Sequence, residues 1–502
     1  MKLLTLFIFL LGTSIVSSQD NHTTKKQGGF AMLDYHPLTM PDGEVNMGFS
    51  GLHLNLNLRD HWFGGLGIYG AVHGERGGFF TLGFNLTYQN YLSQKIFYDL
   101  GFHFGGGGGA SAPDGGGAFI LPHFNLGMDF DFFKVSGGYS YVNFFDHGAI
   151  KSHQWNLAMH FPVSFLHSDF NRHGEKLETD HTDFLLWNHS STELEYKLHL
   201  NNLYNQRGNL TGKTIHLVGL EVLRHGKNLS LFFKADGAYR GIKAGYMDIL
   251  FGIGRKLDFL NNRIRLTPKL GLGGGGGGGL NTYGGLFFYG STELSLRVTP
   301  TLRIFGDVGV LSTPRVDFLS TNYGFGISYD VFQNGNYYPQ SQNNFSRPSY
   351  FKGFEGALTQ EYYYGAQRVT GIREDMYQIG FQLNFYLKPW LFVGGQTSFA
   401  NFGDAGAYAE GIAGMGVRMS PFFKDKLHTH VQVLGGAAGG GGISTGQGLI
   451  IKPSIGLNYH LNSSISLKAN GGYVNALGGD LNTWFVNVGL GYELSLLFNN
   501  YE

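Results

Sequence analysis

Three polyglycine runs recur along the chain at a nearly constant spacing, and they constrain the fold more than any other feature. The runs begin at Gly105, Gly273 and Gly435, so the spacing is 168 and then 162 residues. The flanking residues recur too, as GGGGGASAPDGGGAFILPHFNLGMDF, GGGGGGGLNTYGGLFFYGSTELSLRV and GGAAGGGGISTGQGLIIKPSIGLNYHL. A fixed period of this length is typical of a duplicated structural unit. The sequence therefore predicts three copies of one unit.

The first residues have the pattern of a secretory signal. Lys2 supplies a short positive region, Leu3 to Leu11 form an apolar core, and Val16 and Ser18 occupy the small-residue positions before a cleavage site. The apolar stretch is shorter than the roughly 20 residues of a membrane-spanning helix. We therefore predict a signal peptide over residues 1–18, with a retained N-terminal anchor as the alternative.

The composition is typical of a transmembrane β-barrel. The chain has 80 glycines among 502 residues, 15% aromatic residues and no cysteine. Only 14% of its residues are charged, whereas soluble domains average about 25%. Lys and Arg together number 36, as do Asp and Glu, so no basic surface for nucleic acid is predicted. The lack of cysteine excludes disulfides and thiolate metal sites, and we predict no cofactor.

Several segments alternate between apolar and polar residues with the period of two that marks a strand. From Phe80 to Gln89 one face is apolar and aromatic, and the other carries Thr, Asn, Gln and Gly. The segment from Leu52 to Arg59 alternates in the same way. Tilted strands of about 9 to 11 residues cross a bilayer, whereas soluble strands are most often about 5 or 6 residues long. The length of these segments favours the membrane.

The first repeat divides into eight such segments. They are predicted at residues 29–37, 45–59, 62–73, 78–92, 95–105, 118–131, 133–145 and 152–166. Short turns alternate with longer connections, as they do in outer-membrane barrels, which have short periplasmic turns and longer external loops. We therefore predict an all-β, antiparallel transmembrane barrel fold of about 24 strands, with the Gly-rich hairpins on the external side.

The junctions between repeats are long and polar, which suggests linkers. We predict barrel repeats at residues 19–168, 192–333 and 357–502, joined by periplasmic linkers at 169–191 and 334–356. Each repeat has an even number of strands and so begins and ends on one side of the membrane. Three tandem eight-stranded barrels are the favoured architecture, and one 24-stranded barrel is the alternative.

Each repeat resembles the small eight-stranded outer-membrane barrels of Gram-negative bacteria, in the broad OmpA/OmpX-like sense. The hairpins GGGGGASAPDGGGAFILPHFNLGMDF and GGAAGGGGISTGQGLIIKPSIGLNYHL also resemble a Gly-rich hairpin of uncharacterised outer-membrane barrel proteins. The resemblance covers nearly the whole mature chain. It implies a barrel fold and a location in the bacterial outer membrane, with lipids as partners, and it implies little about activity.

The first repeat also carries a polar set that would face the lumen if its apolar neighbours face lipid. That set consists of Asp99, His103, His123, Asn125 and Asp129. Carboxylates beside imidazoles are able to serve a hydrolase or hold a metal ion. Small barrels must also fill their interior with side chains, and this structural interpretation is favoured. The second repeat opens with a similar charged set, Glu193, Glu195, Lys197 and His199. We predict no catalytic or metal-binding residue.

The polyglycine runs allow two interpretations. Gly105 to Gly109, Gly273 to Gly279 and Gly435 to Gly442 are either flexible external loops, which is favoured, or surfaces for close packing with another repeat or a protein partner. The leading function hypothesis is a non-enzymatic outer-membrane protein with a structural, adhesive or partner-docking role through these loops. A wide pore for solutes or secretion is the second hypothesis, and a lipid-modifying hydrolase is the third.

Overall fold

The computed structural model describes residues 25–177, 192–226, 229–333, 349–423 and 426–499. The predicted signal peptide at residues 1–18 lies outside these ranges. The described residues form 26 antiparallel strands and two short 3-10 helices, Pro41–Gly43 and Phe170–Arg172. Among them, no helix is long and apolar enough to cross a membrane. The predicted all-β, antiparallel barrel fold is confirmed.

The first eight strands pair in sequence order and close on themselves, because β1 pairs with both β2 and β8. We call this set ring 1. Its strands are β1 Lys25–Leu38, β2 Met47–Arg59, β3 Trp62–His73, β4 Phe80–Tyr91, β5 Ile96–Gly108, β6 Phe119–Asp129, β7 Lys134–Phe144 and β8 Lys151–Ser168. A two-residue strand, β9 Lys176–Leu177, follows. The eight predicted segments match these strands closely.

Ring 2 closes through the pairing of β10 with β18. It consists of β10 Thr192–Arg207, β11 Thr214–His225, β12 Ser230–Arg240, β13 Met247–Gly254, β14 Leu257–Phe259, β15 Ile264–Gly276, β16 Leu286–Arg297, β17 Leu302–Ser312 and β18 Leu319–Gln333. Both β13 and the three-residue β14 pair with β15. The short β9 and β14 account for the difference between 26 strands and the predicted 24.

Ring 3 closes through the pairing of β19 with β26. Its strands are β19 Ser349–Gln367, β20 Arg373–Lys388, β21 Leu391–Phe402, β22 Ala409–Arg418, β23 Leu427–Gly439, β24 Leu449–His460, β25 Ile465–Ala476 and β26 Asn482–Asn499. Because β19 begins at Ser349, the linker end predicted at residue 356 is wrong. Residues 349–356 were assigned to the linker because the segment from 334 to 356 is polar as a whole, but they form the first part of β19, which pairs with the end of β26.

Each ring has two different ends. The end where its first strand begins and its last strand finishes carries short turns, and we call it the inner end. The opposite, outer end carries the connections that include residues 109–118, 277–285 and 440–448. At the inner end β26 runs past ring 3, so that Ser495 pairs with Ser168 of β8 and Phe332 of β18 pairs with Asn499. The last strand thus joins all three rings.

The side chains alternate in direction along the strands, as the period-two pattern requires. In β10 Glu195 and Lys197 point inward and are buried, whereas the intervening Tyr196 and Leu198 point outward and are exposed. Apolar clusters occupy the outer half of each lumen. In ring 1 the cluster contains Phe49, Phe79, Phe119 and Phe144, all with 0% exposure; clusters of the same kind lie in ring 2 and ring 3. Polar networks fill the lumen below them.

Candidate functional site

In ring 1, the polar residues that were predicted to form one cluster in the lumen do not all lie together. Asp99 and His123 do meet, with Asp99 Oδ1 3.2 Å from His123 Nε2, and His160 Nε2 lies 3.7 Å from Asp99 Oδ2. Asn125 is directly opposite Asp99 on the paired strand and is buried. His103 lies further outward. The cluster that the structure forms here consists of the Asp99 carboxylate and the imidazoles of His123 and His160. It is therefore smaller than the predicted set.

The other two members have different partners. His103 Nδ1 lies 2.5 Å from Asn85 Oδ1, and its ring stacks on Phe119 at the base of the apolar cluster. Asp129 is at the inner end of β6, where it accepts a hydrogen bond from Tyr91 and lies 3.8 Å from Lys134. The expectation that Asp129 shares one cluster with Asp99 is wrong, because Asp129 is the last residue of its strand. It lies at the rim rather than inside the lumen.

A second cluster in the same lumen was missed by the sequence analysis. Asp34 Oδ2 lies 3.0 Å from His36 Nε2, and His36 Nδ1 lies 2.8 Å from Ser140 Oγ. Tyr69 donates to Asp34 at 2.9 Å, and His53 Nε2 lies 3.2 Å from the other carboxylate oxygen. Ser140 is 104 residues from His36, so only the closure of the ring brings them together. The signal available in the sequence was the alternation of Asp34 and His36 in β1.

The Asp34–His36–Ser140 chain has the residue types of a hydrolytic triad but not its access. Ser140 is fully buried, the aromatic cluster lies on its outer side, and Phe30, Met32 and Phe63 pack on the inner side. A substrate has to reach the nucleophile within about 3 Å for acyl transfer, and both routes are filled by side chains. Among the described residues, no group of three or more His, Asp or Glu is arranged to hold a metal ion. The chain of hydrogen bonds is built to fill the lumen.

Ring 2 fills its lumen with a network of buried ion pairs. Lys269 Nζ donates to both oxygens of Glu221, at 2.7 and 2.9 Å, and lies 3.1 Å from Glu293. Lys197 lies 2.5 Å from the same Glu293 oxygen and 3.5 Å from Glu195. All five side chains are buried. The charged set predicted at the start of this repeat is thus one side of the network; the basic partners on β15 were missed.

Ring 3 combines ion pairs with amides and phenols. Lys452 Nζ lies 2.5 Å from a carboxylate oxygen of Glu361 and from one of Glu410. Tyr363 donates to Glu410 at 2.7 Å, and at the inner end Arg418 lies 3.1 Å from Glu493. The three lumens therefore use different residues for one purpose. Each sets buried carboxylates against imidazoles, lysines or arginines within the low-dielectric interior of the ring.

Removal of one cation from the ring 2 network is expected to destabilise the protein strongly. Lys269→Met leaves Glu221 and Glu293 as poorly compensated buried charges, and breaking such a network typically costs about 3–5 kcal/mol. Unfolding by urea in detergent micelles measures this loss. Lys213→Met, on an exposed loop, is the control and should change the free energy of unfolding by less than about 0.5 kcal/mol. Addition of Glu221→Gln and Glu293→Gln to Lys269→Met should recover more than half of the loss. Equal stability of Lys269→Met and the wild type would contradict the network.

The polyglycine runs join the rings. Residues 105–108, 273–276 and 435–439 are the outer ends of β5, β15 and β23, so the expectation that the runs are flexible loops is wrong for these residues. With β13 and the short β14 counted as one strand, each of these is the fifth strand of its ring and packs against the third strand of another ring: β5 on β21, β15 on β3, and β23 on β12. The contacts follow one direction, from ring 1 to ring 3, ring 3 to ring 2 and ring 2 to ring 1. They form a closed cycle.

Three equivalent glycines after the runs show how closely the backbones of neighbouring rings approach. Gly117, Gly285 and Gly448 have φ of 93°, 85° and 108°, a conformation that glycine adopts readily. A Cβ atom on these residues would lie 2.6 or 2.7 Å from a carbonyl oxygen of the neighbouring ring, namely that of Ala400, Ala71 and Ala238 respectively. Real Cβ atoms do not approach so closely. The same backbone contact thus occurs at each of the three places where two rings meet, which we call the glycine junctions.

The partner surface at each junction is a recurring loop that the sequence analysis missed. Its sequences are AVHGERGGF at 71–79, AYRGIKAGY at 238–246 and ANFGDAGAY at 400–408. Each loop closes with a hydrogen bond from the amide of its first alanine to the carbonyl of its last residue, at 2.9 or 3.0 Å. Each also donates at least one amide across the junction: Gly77 to Tyr283 O, Gly241 to Gln447 Oε1, and Gly406 to Gly115 O. The loop of ring 3 also donates the Gly403 amide to Asp146 Oδ2 at 3.0 Å. The repeated Ala-x-x-Gly spacing was the available signal.

The remaining glycines named in the prediction lie beside this interface. Gly109 and Gly442 contact other residues of their own rings, whereas a Cβ on Gly279 would meet nothing within 4 Å. A separate apolar cluster lies between the three rings. It contains Phe80 and Leu82 of ring 1, Phe399 of ring 3 and Met247 of ring 2. These side chains belong to the third and fourth strands and occupy the space between the rings. The rings therefore pack through apolar side chains as well as glycine backbone.

At the junction between ring 1 and ring 3 two carboxylates lie at the contact, those of Asp114 and Asp146. Asp114, in the outer loop after β5, accepts a hydrogen bond from the Gly109 amide at 2.7 Å, and a Cβ on Gly406 of ring 3 would lie 3.0 Å from its carboxylate. Burial raises the pKa of Asp114 to about 7. The equivalent residues of the other repeats, Thr282 and Thr445, carry no charge. The junction between ring 1 and ring 3 is therefore the one of the three with a carboxylate at this position.

Two glycines with the same backbone conformation distinguish the effect of the contact between rings from the effect of backbone strain on stability. Gly285→Ala and Gly279→Ala both place alanine at a φ of 85°, which costs about 1 kcal/mol. Only Gly285→Ala also forces a Cβ against Ala71 of the neighbouring ring. We expect Gly285→Ala to lose about 1–3 kcal/mol more than Gly279→Ala in urea unfolding, with faster hydrogen exchange in residues 71–79. Equal losses from the two variants would show that the junction does not constrain this position.

The carboxylate of Asp114 is expected to make the protein less stable as the pH rises. Its folded-state pKa lies above its ordinary value, so the cost of ionisation is absent near pH 4, grows as the pH rises, and is complete above about pH 7. Asp114→Asn should gain about 2–4 kcal/mol over the wild type at pH 8 and almost nothing at pH 4. Unfolding free energies at the two pH values measure the difference. The same gain at both would contradict the assignment.

No protein-family model and no curated protein matches the chain. Solved structures that resemble it include the siderophore receptor PirA from Pseudomonas aeruginosa, at 10% identity over 95% of this chain and 81% of that chain, with a TM-score of 0.27. The FrpB iron transporter from Neisseria meningitidis matches at 8% identity over 93% and 81%, with a TM-score of 0.30. The NanC porin matches at 8% identity over 59% and 98%, with a TM-score of 0.16.

Proposed function

We propose that the protein is an integral protein of the bacterial outer membrane, built of three tandem eight-stranded barrels, that serves as a rigid, non-conducting platform with a structural or partner-docking role. The observation that carries this proposal is that all three lumens are filled by their own side chains. Rings 1, 2 and 3 would each be one barrel, and the glycine junctions would hold the barrels together.

The outward faces of the strands support a membrane location. Leu198, Phe325 and Ile455 point away from their lumens and are 46%, 61% and 57% exposed. Large apolar side chains of this kind continue around the free faces of the rings, among them Leu100, Leu126, Leu157, Leu294, Ile327, Val433 and Val486. Soluble monomers rarely expose contiguous apolar patches larger than a few hundred Å². Lipid chains would cover these faces, and closed barrels leave no strand edge unpaired in the bilayer.

The filling of the lumens argues against a pore. A solute entering ring 1 from the outer end would meet the buried aromatic cluster around Phe119, and below it the hydrogen-bonded cluster around Asp34. In ring 2 a cluster containing Phe287 and Tyr289 precedes the network around Lys269. Eight-stranded barrels have interiors just wide enough for side chains. Conduction would require the removal of both layers.

The side chains that fill the lumens also argue against an enzyme. The surface of the protein is then the part that is able to bind a partner. The Asp34–His36–Ser140 chain is enclosed, and the polyglycine runs are used in contacts between the rings. The partners that this proposal assigns are the lipids around the barrels and a protein bound at the outer surface. Because the glycine junctions fix the three rings relative to one another, their outer loops would form one continuous docking surface.

Single-channel recording in planar bilayers tests the proposal. The purified full-length protein should produce no stable conductance, although its resistance to protease and its β-sheet circular dichroism show that it has inserted. A porin reconstituted in the same bilayers provides the positive control. A stable, reproducible conductance from the inserted protein would overturn the proposal and favour the pore.

A further inference from the structure

The segment that leaves ring 1 enters the inner mouth of ring 3. Residues 169–177, which we call the inner plug, comprise the short helix Phe170–Arg172, the turn after it and β9. The ring of Phe170 meets that of Tyr386 edge-on at 4.8 Å, and the guanidinium of Arg418 lies 5.0 Å from the Phe170 ring. Tyr386 and Arg418 are both buried residues of ring 3. An aromatic side chain from the first linker therefore caps the lumen of the third ring.

Backbone hydrogen bonds hold the inner plug along the start of β19. Gly174 donates to Phe351 O at 2.8 Å, Phe351 donates to Glu175 O at 3.0 Å, and β9 pairs with Ser349 and Tyr350. A Cβ on Gly353 would lie 2.5 Å from the ring of Phe170. This glycine therefore leaves the room that the aromatic ring occupies. The inner plug is docked by specific contacts over its whole length.

One contact of the inner plug depends on the protonation of a histidine. The Gly353 amide donates to His173 Nδ1 at 2.8 Å, so this nitrogen must carry a lone pair. A protonated imidazole has N–H groups at both positions and would set a second donor against that amide. The groups around His173 add no compensating anion. Lys352 is the nearby charge on β19, Tyr386 is the aromatic neighbour at 6.5 Å, and Glu175 is paired with Arg172 at 2.8 Å.

We propose that the inner plug is a latch on the inner mouth of ring 3 that is released when His173 becomes protonated. Burial, and then the charge of Lys352, lower the pKa of His173. The docked state therefore binds protons less readily than the released one, whose histidine titrates near its ordinary value of about 6.5. Docking is stable at neutral pH and weakens as the pH falls below about 6.5. Release would expose Tyr386, Arg418 and Phe351 at the inner end.

Spin-label distances test the latch, because the chain has no native cysteine. Labels on Asn171→Cys in the inner plug and Ser463→Cys in the turn between β24 and β25 report its position on ring 3. At pH 7.5 the full-length protein in bilayer nanodiscs should give one narrow distance. At pH 5.0 a second, broad population should appear that is absent at pH 7.5.

The matched control is His173→Asn, because the Asn side-chain oxygen can accept the same amide hydrogen bond and does not titrate in this range. This variant should keep the narrow distance at both pH values, with the wild-type fold at pH 7.5. A wild-type distance that does not change at pH 5.0 would overturn the proposal. So would a release in His173→Asn as large as that in the wild type. Conductance should stay absent in every case, because the apolar cluster at the outer end of ring 3 does not involve the inner plug.

Discussion

Direct contact between backbones at three glycine junctions is the constraint on which the arrangement of the molecule depends. At each junction the glycine-rich outer end of a fifth strand lies against a third strand of another ring, and a glycine at positive φ faces an alanine carbonyl. A single methyl group at Gly117, Gly285 or Gly448 would enter the space of that carbonyl. The three interfaces run head to tail in one direction. A head-to-tail interface that is repeated by a closing rotation forms a ring, and here the three rings of one chain supply the three members.

The polar networks of the three lumens differ, although the last residue of each junction loop, Phe79, Tyr246 or Tyr408, belongs to the apolar cluster of its own lumen. Ring 1 uses histidines around Asp34 and Asp99, ring 2 uses lysines and glutamates, and ring 3 adds amides and tyrosines. Buried charges of this kind are costly unless every partner is present. The members of each network therefore depend on one another, and a member exchanged between rings would lose its partners. The interiors of the three rings therefore differ, whereas the glycine contacts between them are equivalent.

The strands of ring 1 were predictable to within a few residues because alternation has a period of two wherever one face is apolar. The segment predicted at 62–73 and β3 are the same. The role of the glycines in the contacts between rings was not predictable. A glycine run shows no alternation of apolar and polar residues, so it is equally compatible with a flexible loop and with a packed strand. The Asp34–Ser140 cluster was hidden by sequence separation, and Asp129 was misplaced because alternation gives the face of a strand but not the depth. The docking of Phe170 in ring 3 has no local signal, since it joins the first linker to the third repeat.

The most direct test of the account measures the arrangement of the three rings. Spin labels placed pairwise on Val45→Cys, Lys213→Cys and Val369→Cys report on exposed outer-loop positions, one in each ring. In lipid nanodiscs, the account predicts three narrow distance distributions of similar mean, because the glycine junctions fix the rings around a common axis. Broad distributions would show that the rings are independent units on flexible connections, and that result would contradict the account.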